Sequence, residues 1–219
     1  MHSNLLCLTC TLFILLFFIE NVYCKKDLNK NSRKLLVLHR RFRQDLVDCK
    51  VNGQPPAKYM SKLKWNYDLA QQAQSLANYC ILRQGKPHSK KFILVGQNMA
   101  FASTIKSAVD AWFNEHKLYN FSVNNCPQCL HYTQMVWAKT TDIGCGVANC
   151  SMYGLSIVCN YGPGGNWINE KPYEVKPHNL CPIVQNISKD SFPTNRAHTR
   201  RGQKSLKQIE KKGVKYHSN

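Results

Sequence analysis

Apolar residues recur at three- and four-residue steps near the start of the chain, and this spacing predicts an amphipathic helix. The helix begins near Ser32, a residue type that is favoured at helix N-caps. Its inward stripe comprises Leu35, Leu38, Phe42 and Leu46. We expect the opposite, solvent-facing side to be basic, with Arg33, Lys34, Arg40, Arg41 and Arg43.

The same spacing predicts two further helices. One spans residues 68–80, and the other starts at Thr104, which serves as its N-cap, and runs to about residue 118. The side chains expected to face inward on these two helices are Leu69, Ala73, Leu76, Cys80, Ala108, Val109 and Trp112. A short fourth helix is predicted over residues 133–137, directly after His131.

Two stretches rich in β-forming residues predict strands at residues 144–148 and 155–161, with turn-forming residues between them. Gly162-Pro163-Gly164-Gly165 ends the second strand. Helices packed on a small antiparallel sheet make the predicted fold class α+β, layered as helix, sheet and helix.

The first 24 residues have the pattern of a secretory signal peptide. Their apolar run, Leu5 to Ile19, is shorter than the roughly 20 residues that a membrane anchor, the alternative, would require. We therefore expect a leader at residues 1–24, one globular domain at 25–181 and a basic tail at 182–219. The tail has too few apolar residues to fold, so we expect it to be disordered.

Eight cysteines follow the predicted leader, and an even number in an exported chain indicates four disulfides. They are Cys49, Cys80, Cys126, Cys129, Cys145, Cys150, Cys159 and Cys181. Composition and spacing leave their pairing open, and Cys126-Pro127-Gln128-Cys129 is also compatible with a redox or zinc CxxC motif. Three glycosylation sequons, at Asn120, Asn149 and Asn186, agree with export.

The chain has a formal net charge of +18, and its basic residues concentrate at the two ends. Residues 25–43 hold eight Lys or Arg, and the segment after Pro182 holds nine against two acidic residues. Such charge predicts attraction to anionic glycans or membrane surfaces. Nucleic acid is not an expected partner, because the exported chain carries no nucleic-acid-binding motif. A solvated basic surface without a specific partner is the alternative.

Two segments resemble the signature stretches of the CAP superfamily, which includes cysteine-rich secretory proteins, insect venom allergens and plant pathogenesis-related proteins. They are His131-Tyr132-Thr133-Gln134-Met135-Val136-Trp137 and Ile157-Val158-Cys159-Asn160-Tyr161. Gly96-Gln97-Asn98-Met99 and Ala111-Trp112-Phe113-Asn114-Glu115 resemble two further elements of the family. The resemblance covers residues 32–181. In its general sequence features, the chain is similar to the venom-allergen-like proteins of parasitic worms.

The resemblance implies a three-layer α-β-α sandwich of the CAP type. It also implies disulfides between Cys80 and Cys150 and between Cys145 and Cys159. Once these two implied pairs are removed, the remaining four cysteines would pair as Cys126–Cys129 and Cys49–Cys181.

The resemblance further implies a cleft in which His88, Gln97, Glu115 and His131 converge. Gln97 stands where the family usually has Glu. The two histidines with Glu115 make a weak zinc site one hypothesis, with no cofactor required. A hydrogen-bonded polar cleft without metal is the other. Glu115 alone is a candidate catalytic base, but no nucleophile motif accompanies it. We therefore do not expect this protein to be an enzyme.

Members of the superfamily commonly bind sterols or fatty acids, and the resemblance points to two places: the loop at residues 118–130, and an apolar groove between the first helix and a facing helix. Its apolar candidates are Tyr119, Phe121 and Val123, for which ordinary packing is the alternative. The leading hypothesis is a secreted, non-enzymatic protein that binds a sterol or fatty acid, acting at a host or self surface. A secreted interaction protein that modulates a receptor, protease or immune factor is the second, and a metal-dependent hydrolase is the third.

Overall fold

The computed structural model describes residues 27–181. The predicted leader and the basic tail, with the sequon at Asn186, lie outside the described residues. Within residues 27–181, no helix is long and apolar enough to cross a membrane.

Four helices form close to the predicted positions. They are α1 (Lys30–Val47), α2 (Tyr67–Asn78), α3 (Ile105–Asn114) and α4 (Leu130–Met135). Helix α1 begins before Ser32, because the Asn29 side chain is the actual cap and accepts the Ser32 N–H at 2.9 Å. Thr104 caps α3 as predicted. Helix α4 starts earlier than predicted, so that His131 lies in its first turn rather than before it.

The sheet has four strands, β1 (Lys64–Trp65), β2 (Gly96–Ala102), β3 (Asp142–Cys150) and β4 (Gly154–Gly162). Their order is β1-β3-β4-β2, with β1 parallel to β3 and the other pairs antiparallel. The β3–β4 hairpin was predicted, whereas β1 and β2 were not. Strand β2 contains Gly, Asn and Ala, which are weak strand formers, and it exists because all seven of its residues pair with β4.

Helix α2 covers one face of the sheet, and two glycines of β3 allow its close approach. A Cβ atom on Gly144 would lie 2.2 Å from the backbone nitrogen of Ala70, and one on Gly146 would lie 2.2 Å from the Cα of Gln74. Any side chain at these positions would push the helix off the sheet. The opposite face carries the main core, shared by α1, α3, α4, β3 and β4. The fold is therefore the α+β, α-β-α sandwich that was predicted.

Arg43 contradicts its predicted position on the solvent face of α1. Its side chain is buried, and its guanidinium donates to the carbonyl oxygens of Met135 at 3.1 Å and Trp137 at 2.7 Å. It also donates to three more carbonyls, those of Ser61, Ala138 and Thr140. Burial lowers the pKa of Arg43 to about 10, which still leaves it charged at neutral pH. The residue ties α1 to the chain segment after α4.

A second polar side chain of α1, His39, is fully buried. Its Nδ1 lies 2.8 Å from the Leu35 carbonyl oxygen, so Nδ1 carries the proton and Nε2 accepts from the Tyr161 hydroxyl at 2.8 Å. The Asn98 amide donates to that hydroxyl at 3.2 Å and to the His131 carbonyl at 3.0 Å. This network joins α1, β4 and β2 to the start of α4.

Four disulfides close the domain, with the pairs that the family resemblance leads one to expect. They are Cys49–Cys181, Cys80–Cys150, Cys126–Cys129 and Cys145–Cys159. Both sulfurs of the CxxC segment are consumed in a disulfide, so neither is free to bind zinc.

Candidate functional site

A polar cleft of about 460 Å³ opens between β2, the start of α4 and the turn after β4. Gln97, Glu115 and His131, three of the four predicted residues, line it. The cleft also contains Asn98 and Gln134, which the sequence analysis did not single out as site residues. Gln134 lies within the first signature segment and accepts the Gly165 N–H at 2.8 Å, which fixes the turn after β4.

Glu115 and His131 form a tightly bonded pair. One carboxylate oxygen of Glu115 lies 2.7 Å from Nδ1 of His131, and the other accepts the backbone N–H groups of His131 at 3.1 Å and Tyr132 at 3.0 Å. The Trp112 ring stacks on the imidazole, with centroids 6.0 Å apart. Glu115 thus caps the first turn of α4 and orients the His131 ring. Within the described part of the chain, Nε2 is the ring nitrogen of His131 without a hydrogen bond.

Gln97 acts as a bridge between two segments. Its Oε1 accepts the Gly85 N–H at 2.8 Å, and its Nε2 donates to Oδ1 of Asn160 at 2.8 Å. Asn160 in turn donates to the Leu69 carbonyl oxygen at 3.0 Å. Both polar atoms of Gln97 are therefore engaged in holding the loop after α2 to the sheet.

His88 does not line the cleft, contrary to the expected convergence with His131. The side-chain amide of Gln72 on α2 makes two hydrogen bonds to the backbone of His88. Its Oε1 accepts the His88 N–H at 3.0 Å, and its Nε2 donates to the His88 carbonyl oxygen at 3.0 Å. His88 is exposed on this loop. Within residues 27–181, no three His, Cys, Asp or Glu side chains gather as a metal-ligand set.

A larger groove of about 850 Å³ lies on another side of the domain. We call it the aromatic groove, because its walls are lined by Tyr59, Phe121, Trp137, Pro172, Tyr173 and Val175. The Phe121 ring packs against the Tyr173 ring at a centroid distance of 4.8 Å. Tyr59 is 66% exposed and so offers apolar surface that a ligand would cover.

Three lysines stand around the aromatic groove, and two of them are paired. Lys58 contacts Glu174 at 3.2 Å, and Lys139 contacts Glu170 at 2.9 Å. The ammonium of Lys171 instead lies 4.9 Å from the centroid of the Phe121 ring. Among the described residues no carboxylate pairs with it, so Lys171 is the uncompensated cation of this groove.

The comparison with protein families supports the resemblance seen in the sequence. Residues 36–161 match the profile described as the cysteine-rich secretory protein family, or CAP. This chain belongs to the CAP family.

Individual relatives of the CAP family extend the match. Venom allergen 5 of Vespula vidua is 40% identical over 164 residues, which cover 66% of this chain and 80% of that protein. Venom allergen-like protein 4 of Schistosoma mansoni has a solved structure that is 40% identical, with a TM-score of 0.66, covering 70% of this chain and all of the other. NaASP2, crystallised with Zn²⁺, is 26% identical with a TM-score of 0.57 and covers 69% of this chain and 90% of its own.

Zinc does not fit the cleft of this CAP domain. A zinc site takes at least three protein ligands from His, Cys, Asp or Glu. Here both carboxylate oxygens of Glu115 and both amide atoms of Gln97 are already hydrogen-bonded, and His88 is held elsewhere by Gln72. His131 alone offers a free ligand atom. The hypothesis of a hydrogen-bonded cleft without metal therefore describes this site better.

The three predicted lipid contacts of the CAP domain lie in different environments in the structure. Tyr119 is buried, packs on Tyr132 at a centroid distance of 5.7 Å and donates its hydroxyl to Asn124, so its side chain is part of the core. Val123 is exposed and lines a neighbouring groove. Phe121 lines the aromatic groove. Tyr59 and Tyr173 carry no local signal in the sequence, because the groove forms only where four separate segments of the chain meet.

Two of the predicted glycosylation sites lie on the surface of the CAP domain. Asn120 and Asn149 are both exposed. The Asn120 Oδ1 atom accepts the N–H groups of Ser122 at 3.0 Å and Val123 at 3.2 Å. A glycan on Asn120 would stand next to Phe121 and so beside the aromatic groove.

Proposed function

We propose that this secreted CAP-domain protein is a non-enzymatic carrier that binds a fatty acid or sterol in the aromatic groove. The observation that carries the proposal is the groove itself. Its volume of about 850 Å³ lies within the range of small-molecule sites, roughly 300–1,000 Å³. Four aromatic side chains, with Ala138, Pro172 and Val175, form its apolar surface, and five charged side chains with Ser61 complete the lining. The groove therefore offers apolar contact area together with polar groups that can orient a ligand.

The charges around the groove favour a ligand with an anionic end. Lys171 has no carboxylate partner among the described residues, and its ammonium lies over the Phe121 ring at the groove wall. A carboxylate placed near Lys171 would gain a charge-assisted hydrogen bond, whereas the hydroxyl of a sterol would gain a weaker neutral one. Of the two ligand classes, a fatty acid therefore suits the groove better.

The composition of the polar cleft supports a role without catalysis. A hydrolase needs a nucleophile or a metal-bound water within reach of its base. The side chains that line the cleft include no Ser, Thr, Cys or Lys, and the paired Glu115 and His131 therefore have no nucleophile to activate there. Their hydrogen bonds to α4 account for both side chains as structural elements.

Mass spectrometry of lipids extracted from the purified, secreted protein tests the proposal first. We expect a stoichiometric fatty acid or sterol. Titration with a fluorescent fatty acid then tests the groove, and Tyr59→Ala should weaken binding about tenfold by removing apolar contact area. Lys171→Gln should weaken the fatty acid more than a fluorescent sterol.

Tyr153→Ala is the matched control, because Tyr153 is another exposed tyrosine, located in the turn between β3 and β4. If it lowers affinity as much as Tyr59→Ala, the aromatic groove is not the site. An empty protein that also fails to bind added lipid would leave the interaction protein as the better hypothesis.

A further inference from the structure

A cluster of exposed apolar side chains borders the aromatic groove. We call it the apolar rim and define it as Val123, Leu130, Trp167 and Ile168, which line one groove of about 750 Å³. Trp167 is 48% exposed and Ile168 is 89% exposed. Lys171 and Trp137 line both this groove and the aromatic groove, so the two are contiguous.

The apolar rim is held in place by hydrogen bonds. Asn166 donates to the Leu130 carbonyl oxygen at 2.9 Å and accepts the Thr133 hydroxyl at 2.7 Å. The indole N–H of Trp167 donates to the Gly164 carbonyl oxygen at 3.1 Å, which leaves the rest of the ring to face solvent. The loop that carries Trp167 and Ile168 is therefore anchored to α4, and the exposure of these side chains is built into the fold.

The charges beside the rim indicate what kind of surface would cover it. Glu170, the acidic residue of this loop, is neutralised by Lys139 at 2.9 Å, and Lys171 is left as net positive charge. Residues 27–181 as a whole hold 19 Lys or Arg against 9 Asp or Glu. An anionic polysaccharide would engage the cations but would gain nothing from the exposed aliphatic side chains of Ile168 and Val123. An anionic bilayer would use both, since Trp and aliphatic side chains partition into the membrane interface while lysines attract its headgroups.

We propose that the apolar rim is a docking surface for an anionic phospholipid bilayer. Trp167 and Ile168 enter the interface, and Lys171 meets the anionic headgroups. With the lipid-binding role proposed above, on which this step rests, the aromatic groove then opens next to the membrane surface, where a lipid can pass between the two without crossing bulk water.

Vesicle partitioning of the full-length protein tests this surface. The probes are phosphatidylcholine vesicles with and without phosphatidylserine, and Asn120→Gln is present in every variant so that no glycan stands beside the rim. Replacing both Trp167 and Ile168 by Ser should lower the partition coefficient on anionic vesicles at least about tenfold. Ile168→Ser alone keeps the indole hydrogen bond and should produce part of that loss.

The matched control replaces both Met152 and Tyr153 by Ser. These residues are 78% and 54% exposed, and they precede β4, whereas Trp167 and Ile168 follow it; the nine residues of this strand span about 30 Å. The control should bind as the parent protein does. Equal losses in the rim and control variants, no loss in the rim variants, or no vesicle binding by the parent would each overturn the proposal.

Trp167 also provides a direct signal. It is exposed, whereas Trp112 and Trp137 are buried and Trp65 is half-buried. Brominated lipids should therefore quench the fluorescence of the parent protein on anionic vesicles, and Trp167→Phe should remove that quenching. Unchanged fluorescence of bound parent protein would show that the rim faces away from the bilayer. Fatty acid titration without vesicles is a separate measurement, so that failure of docking and failure of ligand binding are distinguishable.

Discussion

The buried His39 makes the stability of the domain dependent on pH in a predictable direction. The imidazole is fully buried, bonded to the Leu35 carbonyl oxygen and to the Tyr161 hydroxyl. Burial is the main reason that its pKa falls from 6.5 to about 4, and the nearby Arg43 guanidinium lowers it further, while the bond to Leu35 opposes the shift. The folded protein thus stabilises the neutral form of the His39 ring over the protonated form.

The magnitude follows from the difference between the folded and unfolded states. Below pH 6.5 the unfolded chain takes up a proton at His39, whereas the folded chain does so only near pH 4. The free energy of unfolding therefore falls by about 1.4 kcal/mol per pH unit across this window, or about 3 kcal/mol in total. The contribution of neutral His39 is complete above pH 6.5 and is lost as the pH falls to about 4.

Urea unfolding of the wild type and of His39→Gln between pH 7 and pH 4 measures this contribution. Other titrating groups act equally in both proteins. The difference in free energy of unfolding between the wild type and the variant therefore changes with pH only through His39. We expect the wild type to lose about 3 kcal/mol more than the variant. Parallel stability curves would refute the reasoning, and an NMR titration of the His39 ring gives the folded pKa directly if the variant does not fold.

Two further predictions concern the cleft and the chain terminus. Restoring a carboxylate with Gln97→Glu should not produce zinc binding in isothermal titration calorimetry, because His88 lies outside the cleft, and the new carboxylate should instead repel Oδ1 of Asn160 and lower the melting temperature. Zinc binding that depends on both His88 and His131 would contradict this geometry. Truncation after Cys181 should lower the salt at which the protein elutes from heparin, because the removed segment is strongly basic and exposed charges are screened within ~8 Å at physiological salt. Equal elution would assign the attraction to α1, and Arg33→Gln with Lys34→Gln is the variant that then shows it.

The sequence by itself determined the parts of this protein that depend on local patterns. Apolar spacing located α1, α2 and α3, because a helix that packs on a core must repeat its apolar residues every three or four positions. Thr104 was identifiable as a cap from its type and place. The signature segments around His131 and Cys159 indicated the CAP fold.

Only the tertiary structure decided the positions whose environment comes from distant segments. Arg43 continues the basic side of α1 in the sequence, yet it is buried because five carbonyls from other segments satisfy its guanidinium. Gly96–Ala102 is a strand because β4 lies beside it. His88 leaves the cleft because Gln72 holds its backbone. Tyr119 is core because Tyr132 of α4 packs against it. In each case the burial and pairing of a polar or weakly patterned residue depend on partners that lie far away in the chain, and a local pattern carries no information about them.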